Sequence, residues 1–347
     1  MSKMVYQGRL HLPQGYYFIR EVFQPQIELL IPTPGRPHAA EELTYIAMRR
    51  THYEAQLAYA ATRWRVRVHA YCWLSDCALL LVQNGYAPLA WFMHSLRSPF
   101  SRHVLKVMGI KKPYLGRYHA LLTDEREFFF DVVRYILSRP REIGLCDEPL
   151  DYDYSSARTC LGGSAPPFLT QSFLPLAASL GFNTRQGLAA FLNRKPQPGF
   201  TVLIERGSLL DSRVLGRADF AYRVQRESRR PCAEARPQPC IEWVARYLGI
   251  EKVNTLSKPR CANAVQARAL AGWLVTCAGV AHVSTVAQWF NTDRSSLERA
   301  IDWHARNTPN LFNDRILEDF HSFLMTATDG SSMVKAVAPA KCSVTST

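Results

Sequence analysis

The chain has 347 residues and 39.4 kDa, with 47% hydrophobic and 20% charged residues; this excludes a wholly disordered protein and suggests two or three domains of ~100–200 residues. Lys and Arg number 42 against 29 acids, a formal charge of +13 with a pI near 9.4, so the expected partner is a polyanion, either nucleic acid or an anionic membrane surface. Nine cysteines without a CxxC pair give neither a disulfide framework nor a zinc-ligand spacing and fit a reducing, cytoplasmic compartment.

Residues 1–15 lack the apolar core and small-residue cleavage site of a signal peptide. Over 63–69, Arg63, Arg65, Arg67 and His69 alternate with apolar residues, which predicts a strand with a positively charged face; a merely solvated strand face is the plain alternative. A buried strand is expected at 77–82. Helices are expected at 89–108, with Arg97, Arg102 and Lys106 on the polar side, and at 125–137, with Phe129, Val132, Val133 and Ile136 as core stripe. A mixed sheet covered by helices packs these elements. The Gly/Pro-rich stretch 161–167 predicts a domain boundary. Beyond it, 171–225 reads as short helices, such as 186–193, with a turn at Leu215-Gly216. Residues 226–239 carry Arg226, Arg229, Arg230, Arg236 and three prolines, which predicts a basic linker able to touch phosphates.

From 239 the pattern is helical, over 241–248, 262–277, 283–290 and 293–305. The apolar stretch 269–283 is broken by Thr276, Gly279 and His282 and falls short of the ~20 residues that span a bilayer, so no membrane partner is expected. Asn291-Thr292 separates the last two helices, and Asp293 can cap the final one by accepting from its free amides. This pattern predicts a helix-turn-helix whose second helix offers polar residues to base edges, with an ordinary helical bundle as the alternative. The small polar residues from about Thr328 predict a disordered tail.

Val68-His-Ala-Tyr-Cys-Trp-Leu-Ser-Asp-Cys-Ala-Leu-Leu-Leu-Val82 resembles the segment reading roughly HAYCLMPNHVHLLV in single-tyrosine transposases of the HUH class, including the REP-associated tyrosine transposases. Arg117-Tyr-His-Ala-Leu-Leu122 resembles that family's RYKAIL and Val133-Arg-Tyr-Ile136 its RYI. Pro140 with Gly144-Leu145 resembles NPVRAGL, and Asp151-Tyr-Asp-Tyr-Ser-Ser156 resembles DYPWSS. The match runs over most of 1–162, and Leu215-Gly-Arg-Ala-Asp-Phe220 is similar to an element of longer members. The resemblance implies an α+β, ferredoxin-like antiparallel sheet with helices. It also implies a chemistry in which two strand histidines and a third polar ligand hold a divalent metal that polarises a phosphodiester for attack by a tyrosine. The nucleophile position falls on Tyr135, and the ligand positions fall on Cys77, Leu79 and Arg139. Leucine has no lone pair to donate, cysteine is a poor magnesium ligand and arginine is a permanent cation. No metal site and no cofactor are therefore expected, and Tyr135 reads as a packing residue. Cys72 and Cys77 with His69 lack a fourth ligand at a usual spacing and read as buried inert thiols, while Asp151 and Asp153 read as a structural loop.

Residues 239–306 resemble a second family, the DNA-binding domain of the bacterial replication initiator DnaA. Leu256-Ser-Lys-Pro-Arg260 resembles its basic loop, Ala267-Arg-Ala-Leu-Ala271 the start of the following helix, and Asp293-Arg-Ser-Ser-Leu297 its DHTTV recognition-helix opening. That resemblance implies backbone contacts by Lys258, Arg260 and Arg268. It implies a helix opened by Asp293 whose Arg294, Ser295 and Ser296 face bases, with Arg299 beyond them. Arg294 stands where the family has histidine, so a different target sequence is expected.

The expected organisation is a transposase-like domain over 1–162, a helical connector and basic linker over 163–238, an all-α helix-turn-helix domain over 239–308, and a terminal helix and tail over 309–347. The expected function is site-specific DNA binding without cleavage, in a cytoplasmic, nucleoid-associated regulator of transcription or of a mobile element. Duplex would bind the C-terminal domain, and hairpin or single-stranded DNA the first domain. A magnesium-dependent single-strand transposase or nicking enzyme using Tyr135 is the competing expectation, and a scaffold with salt-sensitive RNA binding is the third. The transposase family includes monomers and homodimers, so either state is open.

Overall fold

The computed structural model describes residues 10–24, 28, 30–33, 35–170, 181–228, 237–250 and 262–328. The chain is α+β and divides into two compact units, 1–230 and 231–347.

In the first unit the order is β1 (Tyr16–Val22), α1 (Ala40–Trp64), β2 (Arg67–Trp73), β3 (Cys77–Gln83), α2 (Leu89–Met108), β4 (His119–Thr123), α3 (Glu125–Glu142), α4 (Arg185–Leu192), α5 (Phe200–Arg206), β5 (Val214–Leu215) and α6 (Ala218–Ser228). The strands form one sheet in the order β2-β3-β1-β4-β5. β1 runs antiparallel between β3 and β4, with Phe18 opposite both Leu81 and Leu121, and β5 pairs parallel to β4. Successive strand residues face opposite ways, so β1 serves both sides. Phe18 meets Tyr135 of α3, whereas Glu21 meets Tyr53 of α1 and Arg97 of α2.

Glu21 is fully buried. It accepts from the Tyr53 hydroxyl at 2.6 Å and pairs with Arg97 at 3.0 Å, and that guanidinium lies 4.1 Å above the Tyr114 ring. Arg97 therefore points inward, not along the expected polar side. The Tyr53 ring is enclosed edge-on by Phe100 at 5.0 Å and Trp73 at 5.4 Å. Removing one partner of such a buried pair costs about 3–5 kcal/mol, because the other charge stays uncompensated.

The expected strand over 63–69 is corrected. Leu57, Ala60, Ala61 and Trp64 continue the buried stripe of α1, so the helix runs through Arg63 and ends at Arg65, which takes a left-handed φ of 55° while its amide bonds Ala61 O. Only Arg67 reaches the strand. His69 occupies a bulge between Val68↔Val82 and Ala70↔Leu81 and is buried against Tyr16 and Phe129. Its burial, with Arg67 adding, holds its pKa down to about 4. Arg63, Arg65 and Arg67 thus share no strand face.

The expected boundary at 161–167 separates no compact units, a second correction. Beyond it, Thr170 N donates to Val68 O at 2.7 Å, Leu192 O accepts from Ser138 Oγ at 3.3 Å, and Phe200 packs on Phe128 at 6.0 Å. Leu215 belongs to β5 and not to a turn. The linker shortens as well, because Arg226 lies in α6 while Pro237 and Pro239 sit in the first turn of the next helix, where a missing amide costs little. Arg229, Arg230 and Arg236 lie outside the described residues.

The second unit contains α7 (Pro237–Leu248), α8 (Ala262–Cys277), α9 (Val283–Trp289), α10 (Arg294–Asn307) and α11 (Asp314–Thr328). α8 is buried along most of its length and packs on the other four. Gly272 sits where α10 crosses, and a Cβ there would come within 3.0 Å of Ile301 and 3.2 Å of Leu297. The expected tail beyond Thr328 lies outside the described residues. No helix among them is long and apolar enough to cross a membrane.

Burial lifts the Glu21 carboxyl from its ordinary 4.5 to about 7, against the hydrogen bond from Tyr53 and the charge of Arg97. The folded chain therefore holds a proton that the unfolded chain releases, and stability falls as pH rises from about 4.5 to about 7. Glu21→Gln removes this titration. Urea unfolding at pH 4.5 and 7.5 should show the variant gaining on the parent at the higher pH, and a pH-independent difference would contradict the assignment.

Candidate nucleic-acid interface

Tyr135 lies midway along α3, half-buried, with its ring edge-on to Phe18 at 5.6 Å and to Phe200 of α5 at 6.3 Å. Burial raises the phenol above its ordinary value, with Arg139 and Arg20 pulling the other way. Arg139, one turn later, sits 5.8 Å from the ring centre and pairs with Glu142 at 3.3 Å. In the β1–β3 register Arg20 stands opposite Leu79 and Val22 opposite Cys77. The Arg20 side chain is exposed and makes no hydrogen bond or ion pair among the described residues.

The residues at this corner do not fit a divalent metal. Leu79 is buried and offers no lone pair. Burial, with Asp76 adding, pushes the Cys77 thiol up to about 12, so it stays protonated at neutral pH, and Arg139 carries a fixed charge. The corner offers instead two guanidinium groups and a neutral phenol. These donors can hold a phosphate oxygen, whereas a protonated phenol is a weak nucleophile. Arg20 escaped sequence reading because strand context alone does not bring it to Tyr135; the signal was an adjacent Arg-Glu pair inside an apolar strand.

Other readings resolve locally. Cys72 is buried, and burial raises its thiol well above the ordinary range, which suits an inert packing thiol. Asp151 closes a 3-10 turn and pairs with Arg185 at 3.2 Å, and Asp153 pairs with Arg158. Arg63, on α1, donates to the Tyr59 hydroxyl at 2.9 Å. Among the described residues, Glu28, His38 and Glu42 are close enough to share an ion. Both Glu28 oxygens and one Glu42 oxygen are already engaged, since His38 bonds Glu28 at 2.6 Å and Arg36 reaches both Glu28 and Glu42 at 3.3 Å.

In the second unit α9 and α10 are joined by a tight turn over 290–293 in which Asn291 takes a φ of 48°. The Asp293 carboxylate accepts from Ser296 N at 2.8 Å, and the bonds from Ser296 hold its carboxyl below the ordinary range. Leu297 and His304 anchor α10 inward. Arg294, Ser295 and Arg299 are exposed, and Ser296 is half-buried. Arg294 pairs with Glu298 at 3.2 Å, while Arg299 donates to Ser295 O at 3.3 Å and to Ser296 Oγ at 3.2 Å. Arg268 lies on α8 and has a partner of its own. Lys258 and Arg260, with the expected basic loop, lie outside the described residues. Sequence reading passed over Trp303 and Arg306, which are exposed on α10; the signal was an aromatic residue on the polar side of a helix between two arginines.

No protein-family model and no curated protein sequence matches the chain. A solved structure of a REP-associated tyrosine transposase bound to a REP hairpin is similar with a TM-score of 0.36 at 13% identity, over 48% of this chain and 92% of that one.

A thiol at about 12 is almost wholly unionised at pH 8. Iodoacetamide at that pH should leave Cys77 unmodified in the native chain and alkylate it in denaturant, as read by peptide mass spectrometry. Equal labelling in both would mean an accessible thiolate and would reopen the corner to metal.

Proposed function

We propose that this chain is a site-specific DNA-binding protein of transposase-like architecture that holds DNA without cutting it. The observation that carries this reading is the exposed first turn of α10, where Arg294 and Ser295 follow an Asp293-capped start after a tight turn. Such an opening places polar side chains where they can reach base edges in a major groove. The surface pairs of Arg294 and Arg299 are weak enough to be exchanged for DNA. The helix order of the second unit supports the DnaA-like helix-turn-helix reading, and the order β2-β3-β1-β4 with its two helical crossovers supports the ferredoxin-like, HUH-type reading of the first.

Absence of cleavage rests on the corner at Tyr135. Leu79, a protonated Cys77 and Arg139 supply no ligand set, and among the described residues the Tyr135 hydroxyl makes no hydrogen bond. Arg20 and Arg139 are suited to a backbone phosphate of a hairpin or single strand, a contact that positions DNA without cutting it. A non-cutting protein with sequence preference acts as a regulator of transcription or of a mobile element.

Recovered genomic sites, tested in vitro as duplex and as single strand with and without magnesium, decide between binding and nicking. Binding without a covalent adduct supports the reading, whereas a magnesium-dependent adduct lost in Tyr135→Phe would establish the nicking enzyme. Arg294→Ala should cost about 1–3 kcal/mol on the preferred duplex and relax the choice of base; a loss equal on all sequences would reduce Arg294 to a phosphate contact.

A further inference from the structure

On the second unit, the described large hydrophobic side chains left exposed are Trp303 and Met325. Trp303 is 58% exposed, an unusual position for an indole, which normally buries most of its large apolar surface. It is also held in place. Its ring meets His304 edge-on at 4.7 Å, His304 is buried and stacks with Phe312 at 6.4 Å, and Asn307 Nδ2 donates to Trp303 O at 2.7 Å. Burial lowers the His304 pKa, which disfavours a charge on the ring packed against the indole.

Helical spacing puts Arg299 four residues before Trp303 and Arg306 three residues after it, on the same side of α10. Both are exposed. Arg306 makes no hydrogen bond or ion pair among the described residues, and Arg299 bonds only to the first turn of its own helix. An exposed, braced indole between two guanidinium groups matches the chemistry of a nucleotide strand, a flat π-face flanked by phosphates. Trp303 also lies eight residues, or ~12 Å, beyond Ser295 along the axis. That is about the width of a major groove, so it addresses a different point on DNA from the helix opening.

We propose that the Arg299–Trp303–Arg306 face binds an unpaired DNA base, stacked on the indole with its flanking phosphates held by the two arginines. The inference rests on the reading of this unit as DNA-binding and adds a ligand, an unstacked nucleotide, that duplex recognition does not require.

The full chain would be titrated with three probes: its recovered duplex, oligo-dT, and an abasic strand of the same length and charge. Stacking should favour oligo-dT over the abasic strand by roughly tenfold. Trp303→Ala should erase that preference and Trp303→Phe should keep most of it, while duplex affinity changes less than about twofold in either. Circular dichroism and thermal melts establish that both variants fold. Equal affinity of the parent for oligo-dT and the abasic strand, or a preference that survives Trp303→Ala, overturns the proposal while duplex binding still stands. Loss of binding to all three probes in the parent overturns the DNA-binding reading and this inference with it.

Discussion

A single buried carboxylate organises the first unit. Glu21 sits on the central strand with no exposure, and its two oxygens reach Tyr53 of α1 and Arg97 of α2. Desolvating that charge is costly by itself, so the arrangement persists only where both helices are docked in one place and the Tyr53, Phe100 and Tyr114 rings close over it. With α1 and α2 fixed to one face, the other face of the sheet is left to α3. The alternation of β1 then delivers Phe18 and Arg20 to that second face, beside Tyr135.

The two sides of β1 thus do different physical work. One side neutralises a charge in a dry interior; the other presents uncompensated positive charge to solvent. A metal-dependent nuclease would need oxygen or imidazole donors where this chain has Leu79 and Cys77. What stands at the corner is Arg20 together with Arg139, the latter paired with Glu142, and a guanidinium is a permanent cation with no lone pair for a metal. Affinity for a polyanion and competence to break it are separable properties.

Much of this was legible in the sequence where local pattern and tertiary need agree. The helix at 89–108 and the strand starting at Cys77 stand where periodicity puts them, and the Asp293 cap follows from side-chain chemistry that acts within three residues. Arg63 to His69 misled because its alternation is compatible with a strand, whereas the 3.6-residue stripe of α1 buries Leu57, Ala60 and Trp64 and carries the helix two residues into the motif. The connector was opaque for another reason. A two-residue strand such as Val214–Leu215 has no periodicity to read, and its pairing with β4 spans some ninety residues of chain. Glu21, Arg20 and Trp303 share that opacity, since the partners that give each its meaning are distant in sequence or not part of the chain.

Segments that come late in the chain pair along part of each lateral margin of the sheet. β5 pairs along the outer side of β4, and on β2 the chain returns at Leu169 and Thr170 to bond Val68. Open strand margins template association between molecules. Cutting the chain near Gly162 would remove β5 from β4 and the 169–170 segment from Val68, leave 154–156 on the rest of β2, and strip Phe200 from Tyr135. The compact unit completed by these pairings therefore extends through α6.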